Sequence, residues 1–348
     1  MRLKLITPGA VRRLRNLFLA LAAALAVCYF VMIRMPGKSF TGPLPPASEA
    51  QITLADQLRR DLGILAGDIG ERNAFNAKKL DAARAFIEMS LVEAGYEVQR
   101  HAFTVRPYGG NDPADEVPCF NLSVEIAGAT LPGEIILIGA HYDSIYGSPG
   151  ANDNGSGVVA TLALARMFAG STPRRTLRFV FFVNEEPPFF QVEGQMGSLI
   201  YARQCRERGE NITAMMTLET IGWYSDEPNT QHYPMGMGAL YPSTGNFAAF
   251  VGNVKSRHLV RRIIESFREQ AEFPSEGAAL PGWIPGVGWS DHWSFWQAGY
   301  AGLMITDTAP FRYPYYHTAE DTPDKVDCER VARLTEGMQR VVARLADE

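Results

Sequence analysis

The residues best equipped for chemistry are His141 and Asp143, two positions apart, then Asp153 in a glycine-rich turn, the adjacent pair Glu185-Glu186, Glu219 and His317. Imidazoles and carboxylates without thiolates are a donor set for zinc, less often for cobalt or manganese. So many carboxylates predict two ions per chain, with Asp153 able to bridge them. A bound metal lowers the pKa of its water to about 7, so an ordinary carboxylate can take that proton at neutral pH. Neighbouring side chains at a strand end diverge, which lets one residue of the Glu185-Glu186 pair hold metal while the other faces the water as general base. Asp143 follows His141 by two positions, and on an extended segment both side chains point the same way. Its carboxylate is therefore expected to accept a hydrogen bond from the second ring nitrogen and orient it. The chemistry predicted by this set is hydrolysis.

Strands are needed to bring these groups together. Residues 135–138 are continuously apolar, as a central strand covered on both faces requires, and lead into His141. Residues 157–168 have the pattern of an apolar helix, and 176–183 form another buried strand ending in Asn184-Glu185-Glu186, so the order is that of a βαβ unit. A helix over 197–208 precedes a strand over 214–218 that ends in Glu219. Further helices are expected over Leu80 to Leu91, 256–270 and the tail from Asp327, with strands around Leu122 to Ile126 and over 301–306. Residues 223–250 and 281–288, rich in Gly, Pro and aromatics, suggest loops. Ligands of open α/β sheets lie beyond the carboxyl ends of the strands, where His141, Glu185, Glu186 and Glu219 all fall. One charged residue in such a place is ordinarily a solvated loop position. The whole set, with Asp153 opening a helix, predicts a metal site.

Residues 1–16 carry five basic groups and no acid, and 17–33 run without a charge. That pattern predicts a cytoplasmic basic segment followed by a transmembrane signal anchor, with the bulk of the chain periplasmic or extracellular. Pro- and Gly-rich 34–49 suggests a linker, leaving 50–348 as one α/β domain with a central, mostly parallel mixed sheet flanked by helices. A net charge of -5 and the lack of a basic-aromatic stripe exclude a nucleic-acid partner. The four cysteines have no CxxC spacing, which argues against thiolate-bound zinc. One disulfide among Cys119, Cys205 and Cys328 is as compatible with the sequence as three buried thiols. Ser290-Asp291-His292 has the composition of a hydrolase triad, but consecutive residues cannot adopt its geometry. Ser290 is expected to cap the following helix, with Asp291 and His292 behind the site or against substrate.

In order along the chain, His141-Tyr142-Asp143-Ser144, Asn152-Asp153-Asn154-Gly155-Ser156-Gly157, Asn184-Glu185-Glu186, Leu218-Glu219, Ser290-Asp291-His292 and Tyr316-His317-Thr318 before Asp321-Thr322 resemble the zinc aminopeptidase family. That family, of the metallopeptidase clan MH, includes glutamate carboxypeptidase-like enzymes and zinc glutaminyl cyclases. The resemblance covers roughly residues 55–345 and implies a zinc exopeptidase architecture of the phosphorylase/hydrolase-like type. It implies that His141, Asp153 and Glu219 hold one zinc, Asp153 bridging to a second held by Glu186 and His317. Glu185 would be the general base and Asp143 the orienter of His141. The implied activity is release of N-terminal residues from peptide or small aminoacyl substrates by a metal-bound hydroxide. A single-zinc glutaminyl cyclase is the alternative, and a non-catalytic ectodomain a remoter one, since no ligand is missing. Glu219 stands where the aminopeptidases more often carry aspartate. Residues 187–196, with Phe189, Phe190 and Glu193, exceed the usual short turn and are expected to reshape the substrate pocket.

Overall fold

The apolar runs of the sequence become the middle of an eight-stranded mixed sheet in a computed structural model that describes residues 8–109 and 115–348. Its strands are β1 (Gln99–Val105), β2 (Val117–Ile126), β3 (Leu131–His141), β4 (Arg175–Phe182), β5 (Asn211–Glu219), β6 (Ala248–Asn253), β7 (Ser275–Leu280) and β8 (Gly302–Thr306). The order across the sheet is β1-β2-β4-β3-β5-β8-β6-β7. The centre, β4-β3-β5-β8, is parallel throughout, β1 and β2 run antiparallel on one side, and β6 is antiparallel to β8 but parallel to β7. Parallel strands need crossover helices, and these cover both faces.

Alternation along β3 shows the layering. Ile136, Ile138 and Ala140 face a large core shared with α2 (Glu49–Leu62), α3 (Ala77–Glu93), α4 (Gly157–Phe168), α6 (Arg257–Gln270) and α8 (Cys328–Asp347). Ile135 and Leu137 face a smaller one with α5 (Gly197–Glu207) and α7 (His292–Gln297). Helix α4 is apolar almost all round because α2 and α8 cover the side turned away from the sheet. The start of α2 is fixed by a capping box, Ser48 accepting from the Gln51 amide while the Gln51 side chain accepts from the Ser48 amide.

Three strands depart from expectation. β1 was not expected, β6 begins inside the stretch predicted to be a loop, and β7 follows α6 directly. The segment expected to be a linker has no regular structure before α2, yet it is fastened to the domain. Met35 is buried, Arg268 donates to the Pro36 carbonyl at 2.9 Å, and the Ser275 amide donates to Ser39 Oγ at 2.8 Å. Ahead of it α1 (Pro8–Cys28) continues into a π-helical turn at Tyr29–Ile33. Gly9–Ile33 is long and apolar enough to cross a membrane. Arg2 and Lys4 of the basic flank lie outside the described residues. The structure pairs none of the four cysteines, and Cys119, Cys205 and Cys328 are buried thiols.

Candidate active site

The strand ends deliver the predicted residues to one place. His141 closes β3, Glu219 closes β5, and Glu185 and Glu186 follow β4 by three and four residues. Asp153 lies in the kinked turn Ala151–Ser156 that leads into α4. His317 comes from the loop between β8 and α8, its ring stacked on Tyr316 at 3.8 Å. All are buried except His317, which keeps 28% of its side chain exposed and so marks the open side.

Two groups form around a shared carboxylate. Asp153 Oδ1 lies 3.5 Å from His141 Nε2, which is also 3.3 Å from Glu219 Oε2. Asp153 Oδ2 lies 3.0 Å from His317 Nε2, which is 3.3 Å from Glu186 Oε2. Each trio has its donor atoms within 4.8 Å of one another. His141 Nε2 is a fully buried nitrogen with no hydrogen-bond partner among the described residues, aimed among oxygens that can only accept. An orphaned imidazole nitrogen facing carboxylates, with no thiolate nearby, suits zinc.

The electrostatics point the same way. Burial opposes charge on His141, but Glu219, Glu185, Asp143 and Asp153 outweigh it and hold its pKa well above the usual histidine value. His317 is pushed up to about 10 by Asp153 and Glu186 against the opposing effect of burial. Burial, then Asp153, raises Glu186 to about 7, and burial with Asp153, offset by His141, raises Glu219 to about 7. Glu185 is raised well above the carboxylate range by burial and by Glu219, Glu186 and Asp291. The cluster calls for cations, and protons on the imidazoles and divalent ions are alternative ways of supplying them.

Asp143 is placed differently from the sequence expectation. His141 Nδ1 meets its main-chain oxygen at 3.2 Å, with the carboxylate at 3.5 Å. That carboxylate accepts instead from the amides of Glu185 at 3.2 Å and Glu186 at 3.1 Å, so one aspartate sets the direction of both glutamates. The pair starts from Asn184, whose φ of 61° lies in the sparsely populated left-handed region. Thr220, just after Glu219, has a φ of 42°, an outlier for a β-branched residue. Its amide donates to Asn154 Oδ1 at 3.0 Å and its carbonyl accepts from the Asp307 amide at 2.6 Å. Strain at both strand ends is thus held by neighbouring hydrogen bonds.

Of the residues that support this site, Arg72 carries no sequence signal of its own. Arg72, fully buried, donates to the carbonyls of Tyr142 at 2.7 Å and Gly150 at 2.8 Å and also to that of Pro149, tying down the loop between His141 and Asp153. The Asp321 carboxylate accepts from the Asn152 amide at 2.8 Å, the Asp153 amide at 3.0 Å and Tyr313 at 2.7 Å. The sequence singled it out only as part of the segment that follows His317. Ser290 is not a helix cap: its hydroxyl donates to Glu219 Oε2 at 2.7 Å. Asp291 is buried behind the site with neither carboxylate oxygen hydrogen-bonded among the described residues.

A pocket of about 810 Å³, counted out to its open mouth, begins at Glu219 and Tyr316 and runs over the face of β8, β6 and β7. Its walls are mainly apolar and aromatic, with Tyr233, Tyr241, Trp289 and Phe311 among them. None of residues 187–196 line it. Phe189 is buried against Phe75, and Gln191 reaches the Gly288 carbonyl at 3.2 Å, so this segment braces the site from the side.

Residues 121–342 match the profile of peptidase family M28. The uncharacterized protein YfbL of Escherichia coli K12 is 33% identical over 294 residues, 81% of this chain and 86% of its own. Among solved structures, the zinc aminopeptidase BSAP of Bacillus subtilis superposes with a TM-score of 0.63 at 17% identity, over 88% of this chain and 97% of that one. A glutaminyl cyclase of Fimbriiglobus ruber does so with a TM-score of 0.62 at 17% identity, over 87% and 97%. At these identities the two structures speak for the fold. A profile spanning well over half the sequence and a relative matched along most of its length decide the rest: the chain belongs to peptidase family M28.

Proposed function

We propose that this protein, a zinc metallopeptidase by family, is an aminopeptidase with two zinc ions per chain. His141, Asp153 and Glu219 would hold one, Asp153, Glu186 and His317 the other. The observation that carries this reading is that both trios are complete and share Asp153, one oxygen facing each imidazole. Bound metal would polarise the scissile carbonyl and lower the pKa of water. The protein's own part is positional and acid-base. Glu185, held by Asp143 through its amide, takes the proton of the attacking water and returns it to the departing amine. Asp143, Asp321, Ser290 and Arg72 keep the surrounding groups in place, so little reorganisation accompanies the reaction. The surplus of carboxylates suits a substrate carrying a protonated α-amine, and the adjoining pocket suits one side chain. Residues 17–33 are the proposed membrane anchor, with the catalytic domain on the extracytoplasmic side.

The test is incubation of the zinc-loaded full-length chain with aminoacyl and N-terminal glutaminyl peptides, with zinc counted per chain. Release of free N-terminal residues at close to two zinc per chain is expected. Pyroglutamate formation at one zinc per chain would overturn the reading in favour of a cyclase.

A further inference from the structure

One acidic residue of the pocket takes no part in the chemistry above. Glu219 pairs across the sheet with Thr306, Thr306 with Ala249, and Ala249 with Glu276. Residues of one cross-strand row project from the same face. All four line the pocket, so Glu276 lies three strands from the end that opens at the metal-binding groups, about 14 Å at the usual strand spacing.

The Glu276 carboxylate is mostly buried, yet it accepts no hydrogen bond from any described residue. Its nearest cation, Arg268, is 3.9 Å away. Arg268 is already engaged by Ser275 Oγ at 3.1 Å, the Ser275 carbonyl at 2.6 Å and the Pro36 carbonyl at 2.9 Å. Burial raises the pKa of Glu276, with Arg268 opposing. A carboxylate set among apolar walls is costly unless something pairs with it. The walls also suit a cation. Tyr233 and Tyr241 stack at 5.6 Å with their hydroxyls turned to the Pro242 and Gly277 carbonyls, and Trp289 stacks on Phe311 at 6.4 Å. Aromatic faces attract a guanidinium or ammonium, and an apolar channel covers the aliphatic stem of lysine or arginine while leaving the charged tip free. A leucine side chain would leave the carboxylate with Arg268 at 3.9 Å as its nearest cation.

We propose that this pocket receives the side chain of the substrate's N-terminal residue and that Glu276 at its far end selects lysine or arginine. The proposal rests on the aminopeptidase reading above. The test compares kcat/KM on arginyl, lysyl, leucyl and glutamyl 4-nitroanilides for the zinc-loaded full-length chain and its E276Q and E276L variants. The wild type is expected to favour arginine or lysine over leucine by tenfold or more. Both variants are expected to reduce that ratio at least tenfold, chiefly through KM. E276L nearly conserves volume while removing the polar group, so agreement between the two assigns the change to the charge and not to a packing defect in one of them. A wild type that prefers leucine, or a ratio unmoved in both variants, overturns this proposal alone. Absence of turnover on every substrate overturns it together with the aminopeptidase reading.

Discussion

Replacing Glu185 by glutamine removes one charge and almost no volume. The carboxylate accepts no hydrogen bond from a described residue, and the nearest cationic group is His141 Nε2 at 3.9 Å, so the substitution strands no donor. Glu219, Glu186 and Asp291, the carboxylates whose charge raises the pKa of Glu185, are nearby acceptors for the added amide hydrogens. The fold is expected to tolerate the change. General-base catalysis contributes about 10²–10⁴-fold, or roughly 3–5 kcal/mol of barrier at 1.36 kcal/mol per tenfold. Glu185→Gln should therefore lose that factor in kcat while KM moves by less than about threefold, because the lost interaction belongs to the transition state. Zinc per chain should match the wild type, since Glu185 belongs to neither trio. Steady-state kinetics on an aminoacyl 4-nitroanilide, metal analysis by atomic absorption and a thermal melt measure the three quantities. A kcat within tenfold of the wild type removes Glu185 as the base, and loss of one zinc makes it a ligand instead.

Asp143→Asn keeps one acceptor oxygen where two amides now donate, so the direction of Glu185 and Glu186 loosens; activity should fall about 10–100-fold, and an unchanged kcat/KM would dismiss the positioning role. Arg72→Met leaves the Tyr142, Pro149 and Gly150 carbonyls without their buried donor at about 1–3 kcal/mol each, so denaturant titration should show a loss of about 3 kcal/mol or more, and an unshifted midpoint would refute it. His292 is buried with Nε2 2.8 Å from the Val287 carbonyl, and burial lowers its pKa to about 4, the hydrogen bond opposing. Its folded pKa lies below the unfolded value near 6.5, so the stability that depends on the neutral ring is intact above about pH 6.5 and is lost as pH falls towards 4, about 3 kcal/mol in all. The stability difference between wild type and His292→Gln should change by that order across this window, and a flat difference would show that the ring does not stay neutral.

The central strands were legible because both faces are buried and their sequences are continuously apolar. β6 and β7 were not, for a reason visible in the packing. Their sequences, Ala248-Ala249-Phe250-Val251-Gly252-Asn253 and Ser275-Glu276-Gly277-Ala278-Ala279-Leu280, are rich in small residues and poor in the branched ones that signal a strand. A Cβ on Gly252 would come within 2.6 Å of Val260, and one on Gly277 within 2.8 Å of Ile264 and 2.7 Å of Met35. Close approach of α6 and of the chain before α2 sets those residue types, so tertiary contact overrides strand propensity. The acids and imidazoles that come together were legible as a set because all but His317, which lies in a loop, follow a strand or open a helix. Arg72 was not, since a buried charge that binds main-chain groups from distant segments leaves no periodic trace.

Glu219 shows how far a residue type alone can be read. In sequence its extra methylene is a departure from the aspartate more common among the resembling aminopeptidases. In space that length is matched by partners: Ser290 Oγ at 2.7 Å and Asn154 Nδ2 at 3.2 Å both hold Oε2, which lies 3.3 Å from His141 Nε2. A longer stem has one more rotatable bond, so its oxygen needs more fixing than aspartate's before it can serve as a ligand. The two hydrogen bonds supply that fixing. Asn154 comes from the turn that also carries Asp153, and Ser290 from the segment whose composition suggested a triad and whose hydroxyl looked like a helix cap. Its place is behind the oxygen proposed to bind metal, where it makes glutamate a workable choice at this strand end.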